Sequence, residues 1–157
     1  MTNDTGSLKF WTRAAMVAAL YAGLTILLAP ISYGMIQVRV AEMLMVLPYF
    51  TAAAIPGLFV GCLIANIFGG QGLLDIVFGS LATLVAAYLV SKIKNPLLVP
   101  LPPVIINALV VGMILHLILD LPFILAAAWV GLGQVIACYG LGLPLLFILD
   151  KRHYIFR

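Results

Sequence analysis

Long apolar runs separated by short polar breaks constrain this sequence more than any other feature. Of its 157 residues, 65% are hydrophobic and only 8% are charged, whereas a soluble globular domain carries about 25% charged residues. A helix needs about 20 apolar residues to cross the hydrocarbon core of a bilayer. The first apolar run is interpreted as a span rather than a cleaved signal, because further apolar runs follow it. The sequence therefore predicts an all-α integral membrane protein.

Proline, glycine and charged residues divide the apolar sequence into six predicted transmembrane helices. Pro48 and Pro56 punctuate the stretch that contains the second and third helices, which favours two short helices over one long one. Residues 1–157 are expected to form a single transmembrane domain, with short cytoplasmic tails at about 1–8 and 150–157. The predicted spans are Lys9–Ala29, Val40–Phe50, Ala52–Phe68, Leu73–Ser91, Val104–Leu119 and Phe123–Leu149.

The basic residues predict how the helices are oriented. With six spans, seven of the eight lysine and arginine residues lie on one face, and Arg39 lies on the other. Cytoplasmic loops carry the excess of lysine and arginine, so both termini are predicted to be cytoplasmic, in a prokaryotic plasma membrane. The net charge of +3 is explained by these residues beside the bilayer, and nucleic-acid binding is not expected.

Polar side chains gather in the opposite, extracellular half of the predicted bundle. Three of the five acidic residues are there, and the cytoplasmic half offers little comparable apart from Asn107. A pore or a proton path would need polar groups through the full depth of the membrane, so this arrangement predicts a binding pocket open to the outside. The set comprises Gln37, Arg39, Glu42, Asn66, Gln71, Asp75, His116 and Asp120.

Small residues recur every four positions in the first predicted span, as Ala14/Ala18/Ala22 and Ala15/Ala19/Gly23. Such a stripe lets another helix approach closely. On its own, the pattern fits ordinary packing inside the bundle as well as docking of a partner chain.

The two cysteines and His116 suggest no further chemistry. Cys62 and Cys138 both lie in apolar runs and are interpreted as small hydrophobic residues without a disulfide. His116 and Asp120 are four residues apart and are expected to pair with each other. No third ligand is spaced to complete a metal site there.

Several motifs, in order along the chain, resemble those of the QueT family, which belongs to the substrate-binding (S) components of energy-coupling factor (ECF) transporters. The resemblance covers roughly residues 8–149. The motifs are LAPISYG at 28–34, QVRVAE at 37–42, AIPGLFVGCLIAN at 54–66, DIVFGSLAT at 75–83 and LPPVIIN at 101–107.

The resemblance implies a six-helix bundle of the ECF S-component type, with both termini in the cytoplasm. It implies a queuosine precursor as the substrate, a 7-deazaguanine base such as preQ1, preQ0 or queuine. The implied partners are an ECF transmembrane scaffold subunit and two ATPase subunits, which bind ATP; no cofactor is expected on this chain, which has no Gly-x-x-x-x-Gly-Lys-Ser/Thr loop. The implied docking stripe comprises Ala15 and Ala19, with Ala14, Ala18 and Ala22 as neighbours.

Two carboxylates are the leading candidates for contact with such a ligand. A deazaguanine presents its ring N1–H and its exocyclic amino group side by side, and a carboxylate can accept both hydrogen bonds. Glu42 is predicted to bind this edge, and Asp75 to bind either the same edge or a cationic aminomethyl group. The alternative for Glu42 is an ion pair with Arg39, three residues earlier.

Amides and aromatic rings complete the predicted binding set. Arg39 and the amides can donate to the ligand carbonyl, although each amide could equally bond to a neighbouring helix or loop. Aromatic rings can stack on the flat base, although such residues also serve as lipid contacts or interface anchors. The amides are Gln37, Asn66, Asn107 and Gln134, and the aromatic residues are Tyr33, Phe78 and Trp129.

Three other functions stay open from the sequence. One is an S component for a different vitamin, such as thiamine or a flavin. Another is a solute carrier that works alone, which the absence of a visible inverted repeat disfavours. The third, a membrane enzyme, would need a nucleophile–base pair or a metal cluster; neither is evident, and no catalytic activity is expected.

Overall fold

The computed structural model describes residues 7–33, 38–70 and 72–151. Regular structure in these ranges is helical and includes no strand, which confirms the all-α prediction. The predicted helix limits lie within three residues of those observed for single elements, although the continuous helical segment Pro96–Leu119 begins well before the predicted start at Val104. The α-helices are α1 (Leu8–Leu27), α2 (Ala29–Ser32), α3 (Ala54–Gly69), α4 (Ser80–Val90), α5 (Leu101–Leu119), α6 (Phe123–Gln134) and α7 (Leu143–Asp150).

Several helical segments depart from α-helical geometry. Val40–Tyr49 is a 3-10 helix, and its ten residues span about 20 Å because a 3-10 helix rises about 2.0 Å per residue. Asp75–Gly79 is a π-helical turn that leads directly into α4. A second π-helical segment, Val135–Gly142, joins α6 to α7. Such segments are uncommon in proteins, and those that occur are often found at functional sites.

The chain is a multi-pass membrane protein. Three continuous helical segments in the described residues are long and apolar enough to cross a bilayer: Leu8–Leu27, Pro96–Leu119 and Phe123–Asp150. Shorter apolar helices occur at Val40–Tyr49, Ala54–Gly69 and Asp75–Val90. Large apolar side chains cover the outside of the bundle; Leu8 and Ile124, for example, are each more than four-fifths exposed. An apolar exterior of this kind suits contact with lipid.

Helices α1 and α3 are in unusually close contact. A Cβ atom added at Gly57 would lie 2.6 Å from the carbonyl oxygen of Ala14, and one at Gly61 would lie 2.8 Å from that of Ala18. Glycine therefore allows the two backbones to meet. One stripe of small residues takes part in packing inside the bundle, since Ala14, Ala18 and Ala22 are all buried.

The other small-residue stripe faces outward. Ala15 and Ala19 are both exposed on α1. The implied docking stripe of five alanines is thus divided by the fold. Ala14, Ala18 and Ala22 are not available to a partner, whereas Ala15 and Ala19 are.

The 3-10 helix Val40–Tyr49 lies in the interior of the bundle. It contacts α1, α3, α4, α7 and the π-helical segment Val135–Gly142. Most of its side chains are buried, including Met45 and Val46. Glu42 in its first turn is fully buried as well, so the fold brings a carboxylate into the centre of an apolar bundle.

A buried polar cluster as the candidate binding site

Eight side chains that lie together inside the bundle form what we call the polar cluster. They come from α1, from the start of the 3-10 helix, from α3, and from the π-helical turn and α4. All eight are buried, although burial of polar groups in an apolar surrounding is costly unless they are paired. The polar cluster comprises Tyr21, Arg39, Glu42, Cys62, Asn66, Asp75, Ser80 and Thr83.

The charged centre of the polar cluster is an ion pair. Nη2 of Arg39 lies 3.2 Å from Oδ2 of Asp75, and both side chains are about 95% buried. Asp75 opens the π-helical turn, which ends at Gly79. A Cβ atom at Gly79 would lie 2.6 Å from Oδ1 of Asp75, so the glycine makes room for the carboxylate. Arg39 therefore pairs with Asp75 and not with Glu42, which was the alternative interpretation for these residues.

Glu42 is held instead by Tyr21 of α1. The Tyr21 hydroxyl donates to Oε1 of Glu42 at 2.5 Å, and both side chains are 0% exposed. A hydrogen bond to an ionised group is stronger than one between neutral groups. Tyr21 was not among the predicted site residues, because a tyrosine in an apolar helix gives no signal of its own.

Cys62 of α3 accepts hydrogen bonds from three directions. Its sulfur lies 3.3 Å from Oγ1 of Thr83, 3.6 Å from Nδ2 of Asn66 and 3.8 Å from Nη1 of Arg39. It is a free thiol, as predicted. Cys62 lies in the hydrophobic core, as predicted, but its sulfur also has three hydrogen-bond donors as neighbours.

Asn66 connects α3 to the segment that follows it. Its Nδ2 donates to the backbone carbonyl of Asp75 at 3.0 Å and lies 3.5 Å from Oγ of Ser80. Asn66 therefore donates a hydrogen bond to Asp75, the residue at which the π-helical turn begins. Asn66 was predicted as a site residue, and the structure brings it beside Asp75 and Cys62.

The second π-helical segment, Val135–Gly142, contacts the backbone of Glu42. Sγ of Cys138 lies 3.7 Å from the backbone carbonyl of Glu42 and 3.5 Å from Oε1 of Gln134. Gln134 is buried, and the side chain of Cys138 lies between it and the 3-10 helix. Asn107 is also buried, on α5, but in the described part of the chain it takes no part in the bonds that link the polar cluster.

Tyr33 lies against the polar cluster at the end of α2. Its ring is 5.6 Å from Cζ of Arg39, a cation–π contact, and its hydroxyl donates to the carbonyl of Ala65 at 2.5 Å. Burial raises the pKa of Tyr33 above its ordinary value, so the hydroxyl keeps its proton for this bond. Gln37 lies outside the described residues.

The other two predicted aromatic walls are placed differently. Phe78 is 51% exposed, which suits a lipid contact. Trp129 is half-buried on α6. Tyr33 is therefore the predicted aromatic residue for which the structure gives a contact with a charged member of the polar cluster.

Four atoms of the polar cluster are buried without a hydrogen-bond partner in the described structure. They are Nε of Arg39, Oε2 of Glu42, Oδ1 of Asn66 and Oδ1 of Asp75. Each unsatisfied buried group costs about 1–3 kcal/mol. Three of the four are acceptors and one is a donor. Hydrogen-bond partners for these atoms would have to supply N–H or O–H donors to the three acceptors and an acceptor to the one donor.

The chain matches the family model described as QueT transporter over residues 11–151. It belongs to the QueT transporter family. A relative from Lactococcus lactis subsp. cremoris (strain MG1363), named queuosine precursor transporter QueT, is 45% identical over 73 residues. This alignment spans 45% of the present chain and 43% of the relative, so the chain covers less than half of that relative's length. No solved structure matches the chain.

His116 and Asp120 do not form the expected pair in this QueT-family chain. Nδ1 of His116 lies 2.5 Å from the carbonyl oxygen of Leu121. Asp120 follows the last residue of α5 with a φ of 50° and is exposed. In residues 7–33, 38–70 and 72–151, no three His, Cys, Asp or Glu side chains are grouped to hold a metal ion.

Proposed function

We propose that this chain is the substrate-binding subunit of an ECF-type transporter, and that the polar cluster binds a queuosine precursor with a 7-deazaguanine base. Membership of the QueT transporter family and the name of the Lactococcus relative support the substrate class. The observation that carries the ligand site is the set of four buried, unpartnered polar atoms in one cluster. Such atoms are rare in native structures and call for a partner.

Glu42 suits the guanine-like edge of the base. Its Oε2 has no partner, and its Oε1 keeps a lone pair beyond the one used by Tyr21. The ring N1–H and the exocyclic amino group of a deazaguanine can donate to these two oxygens as a charge-assisted pair. The Tyr21 hydroxyl fixes the carboxylate in place before the ligand arrives.

The remaining unpartnered atoms match the rest of the ligand. Nε of Arg39 is a donor and suits the carbonyl oxygen of the base. Oδ1 of Asp75 and Oδ1 of Asn66 are acceptors and suit a ring N–H or an ammonium group. Gln134, next to Cys138 and the 3-10 helix, is within the same region of the bundle.

The charge of the polar cluster favours a cationic precursor. Two carboxylates, Glu42 and Asp75, face one guanidinium in the site. With both acids ionised, the balance is one negative charge, and an uncompensated buried charge is strongly unfavourable. An aminomethyl group on the base would supply one positive charge, so the amine-bearing precursor fits better than the neutral nitrile.

We propose six membrane spans with both termini in the cytoplasm. The three long helical segments and three shorter apolar helices supply six candidates, and the shorter ones pack inside or beside the longer ones. This topology collects seven of the eight basic residues on the cytoplasmic side. It sets Arg39, Glu42 and Asp75 toward the extracellular side, from which the substrate arrives.

Energy for import would come from partner chains. The sequence has no phosphate-binding Gly-x-x-x-x-Gly-Lys-Ser/Thr loop, so ATP would be bound by two ATPase subunits coupled through a transmembrane scaffold subunit. The docking face would be the outer side of α1 around Ala15 and Ala19, which are exposed. Small side chains there let a partner helix approach closely.

The first experiment is a thermal-shift panel on purified protein. The panel compares aminomethyl and nitrile deazaguanines, guanine, thiamine and riboflavin at equal concentrations. Ligand binding raises the unfolding temperature according to its affinity, and we expect the aminomethyl compound to give the largest increase. Stabilisation by thiamine or riboflavin alone would assign the site to a different vitamin.

The second experiment tests Glu42 directly. Glu42→Gln keeps the shape of the side chain but removes the charge and one acceptor, so we expect the Kd for the preferred base to rise about 10- to 100-fold, the value of a hydrogen bond to a charged group. The matched control is Asp120→Asn, the same chemical change at an exposed acid, which should leave the Kd unchanged. An unaltered Kd for Glu42→Gln would remove Glu42 from the site.

A further inference from the structure

Three hydrogen-bond donors from three segments converge on the sulfur of Cys62. They come from Arg39 before the 3-10 helix, Asn66 on α3 and Thr83 on α4, at 3.8, 3.6 and 3.3 Å. Thr83 and Asn66 each have a second acceptor, the backbone carbonyls of Gly79 and Asp75. Nη1 of Arg39 has no other acceptor than the sulfur among the described hydrogen bonds.

Two of these donors belong to side chains that also carry unpartnered atoms. Nε of Arg39 and Oδ1 of Asn66 are both buried without a partner. The sulfur therefore holds one end of each side chain while the other end is unused. A thiol is only a weak acceptor, so it can fix the direction of these groups without competing strongly for them.

We propose that Cys62 is a specificity-determining positioning residue, whose sulfur aligns Nε of Arg39 for the carbonyl oxygen of the ligand. This inference rests on the proposed function. The sulfur fixes the guanidinium at Nη1 while Asp75 fixes it at Nη2, and Nε is left to donate to the ligand carbonyl. Cys62 thus contributes to selection of carbonyl-bearing bases, although its sequence surroundings are apolar.

The test measures discrimination rather than affinity alone. The Kd of a 7-deazaguanine is compared with that of 2-amino-7-deazapurine, which lacks the carbonyl oxygen and with it the N1–H, and the effect of Cys62→Ala on each Kd is measured. We expect Cys62→Ala to weaken binding of the carbonyl compound about tenfold, as for the loss of one hydrogen bond. Binding of the other compound should change less than about twofold, because it has no oxygen for Arg39 to reach.

Two further variants distinguish positioning from packing. Cys62→Ser keeps an acceptor at this position and should retain the wild-type ratio of the two Kd values within about threefold. Cys138→Ala removes the other buried thiol, which accepts no bond from Arg39 or Asn66, and should retain the ratio as well. An equal weakening of both compounds by Cys62→Ala, or no weakening, would overturn the inference while leaving the proposed function intact.

A further measurement does not depend on whether the Cys62→Ala variant folds. In Cys138→Ala, Cys62 is the only cysteine left, so alkylation by a small maleimide reports on this site alone. Cys62 is 0% exposed, so the maleimide reacts with it only when the protein opens locally, and saturating 7-deazaguanine should slow the alkylation at least about tenfold because it stabilises the closed state. Binding by thermal shift without such protection would contradict a place for Cys62 beside the ligand. If no deazaguanine binds wild type at all, the proposed function itself fails.

Discussion

Replacing Tyr21 with phenylalanine tests how the buried carboxylate of Glu42 is stabilised. The Tyr21 hydroxyl is the donor to Oε1 of Glu42, at 2.5 Å, and Oε2 has no partner in the described structure. Tyr21→Phe therefore leaves both carboxylate oxygens without a side-chain donor. The ring itself is retained, so the change creates almost no cavity.

The expected loss follows from the environment of this bond. Both side chains are 0% exposed, so water does not replace the missing donor. A hydrogen bond to a charged group contributes about 1.5–3 kcal/mol, and we expect the free energy of unfolding to fall by about 2 kcal/mol. Removal of Glu42 as well should recover part of this loss, because the carboxylate that needs the donor is then absent.

The assay is denaturant unfolding in detergent micelles or nanodiscs, followed by tryptophan fluorescence. Tyr88→Phe is the matched control, since Tyr88 is 53% exposed and its change should cost less than about 0.5 kcal/mol. A double-mutant cycle of Tyr21→Phe with Glu42→Gln should give a coupling energy of about 1–2 kcal/mol. The reasoning fails if Tyr21→Phe is no more destabilising than the control, or if the two changes are additive.

Three further predictions concern the surroundings of the polar cluster. Gly79→Ala places a Cβ atom 2.6 Å from Oδ1 of Asp75, so ligand affinity in a thermal-shift titration should fall about tenfold or more; Gly140→Ala, which meets nothing within 4 Å, should leave it unchanged. Asp75→Asn leaves the buried Arg39 without its anion and should lower the free energy of unfolding by about 3 kcal/mol in denaturant titrations. An unchanged free energy of unfolding would mean that the ion pair does not stabilise the fold. Ala19→Trp adds a ring on the exposed side of α1 and should leave ligand binding intact while preventing co-purification with the proposed scaffold subunit. Ala18→Trp, at a position 6% exposed, should unfold the protein. Unchanged co-purification of the Ala19→Trp variant would contradict a docking role for this side of α1.

Much of the helix layout follows from composition and punctuation in the sequence. Pro30, the glycines near 70 and the Asp120-Leu121-Pro122 turn end apolar runs, and helices begin or end close to them. The sequence did not predict that Val40–Tyr49 is a 3-10 helix, because its apolar residues read the same way at either helical pitch. The same is true of the π-helical segments, which depend on how side chains pack around Asp75 and Cys138.

The polar cluster was only partly predictable for a related reason. Glu42, Arg39, Asp75 and Asn66 stand out because charged and amide groups are rare in an apolar sequence, and the structure brings them together. Tyr21, Cys62 and Thr83 are unremarkable in apolar helices, and their role depends on distances between helices that the sequence does not contain. The partner of Arg39 was uncertain for this reason: Glu42 is closer along the chain, but Asp75 is closer in space.

The glycine contacts between α1 and α3 have a mechanical consequence. Backbone carbonyls and side chains of α1 lie where a Cβ atom on Gly57 or Gly61 would be, so the two helices are packed without free space between them at these positions. A force from lipid or protein on the outward side of α1 would therefore move α3 together with it. Tyr21 lies on α1, and Cys62 and Asn66 lie on α3. A displacement of α1 at the surface of the protein would therefore reach the residues at its centre.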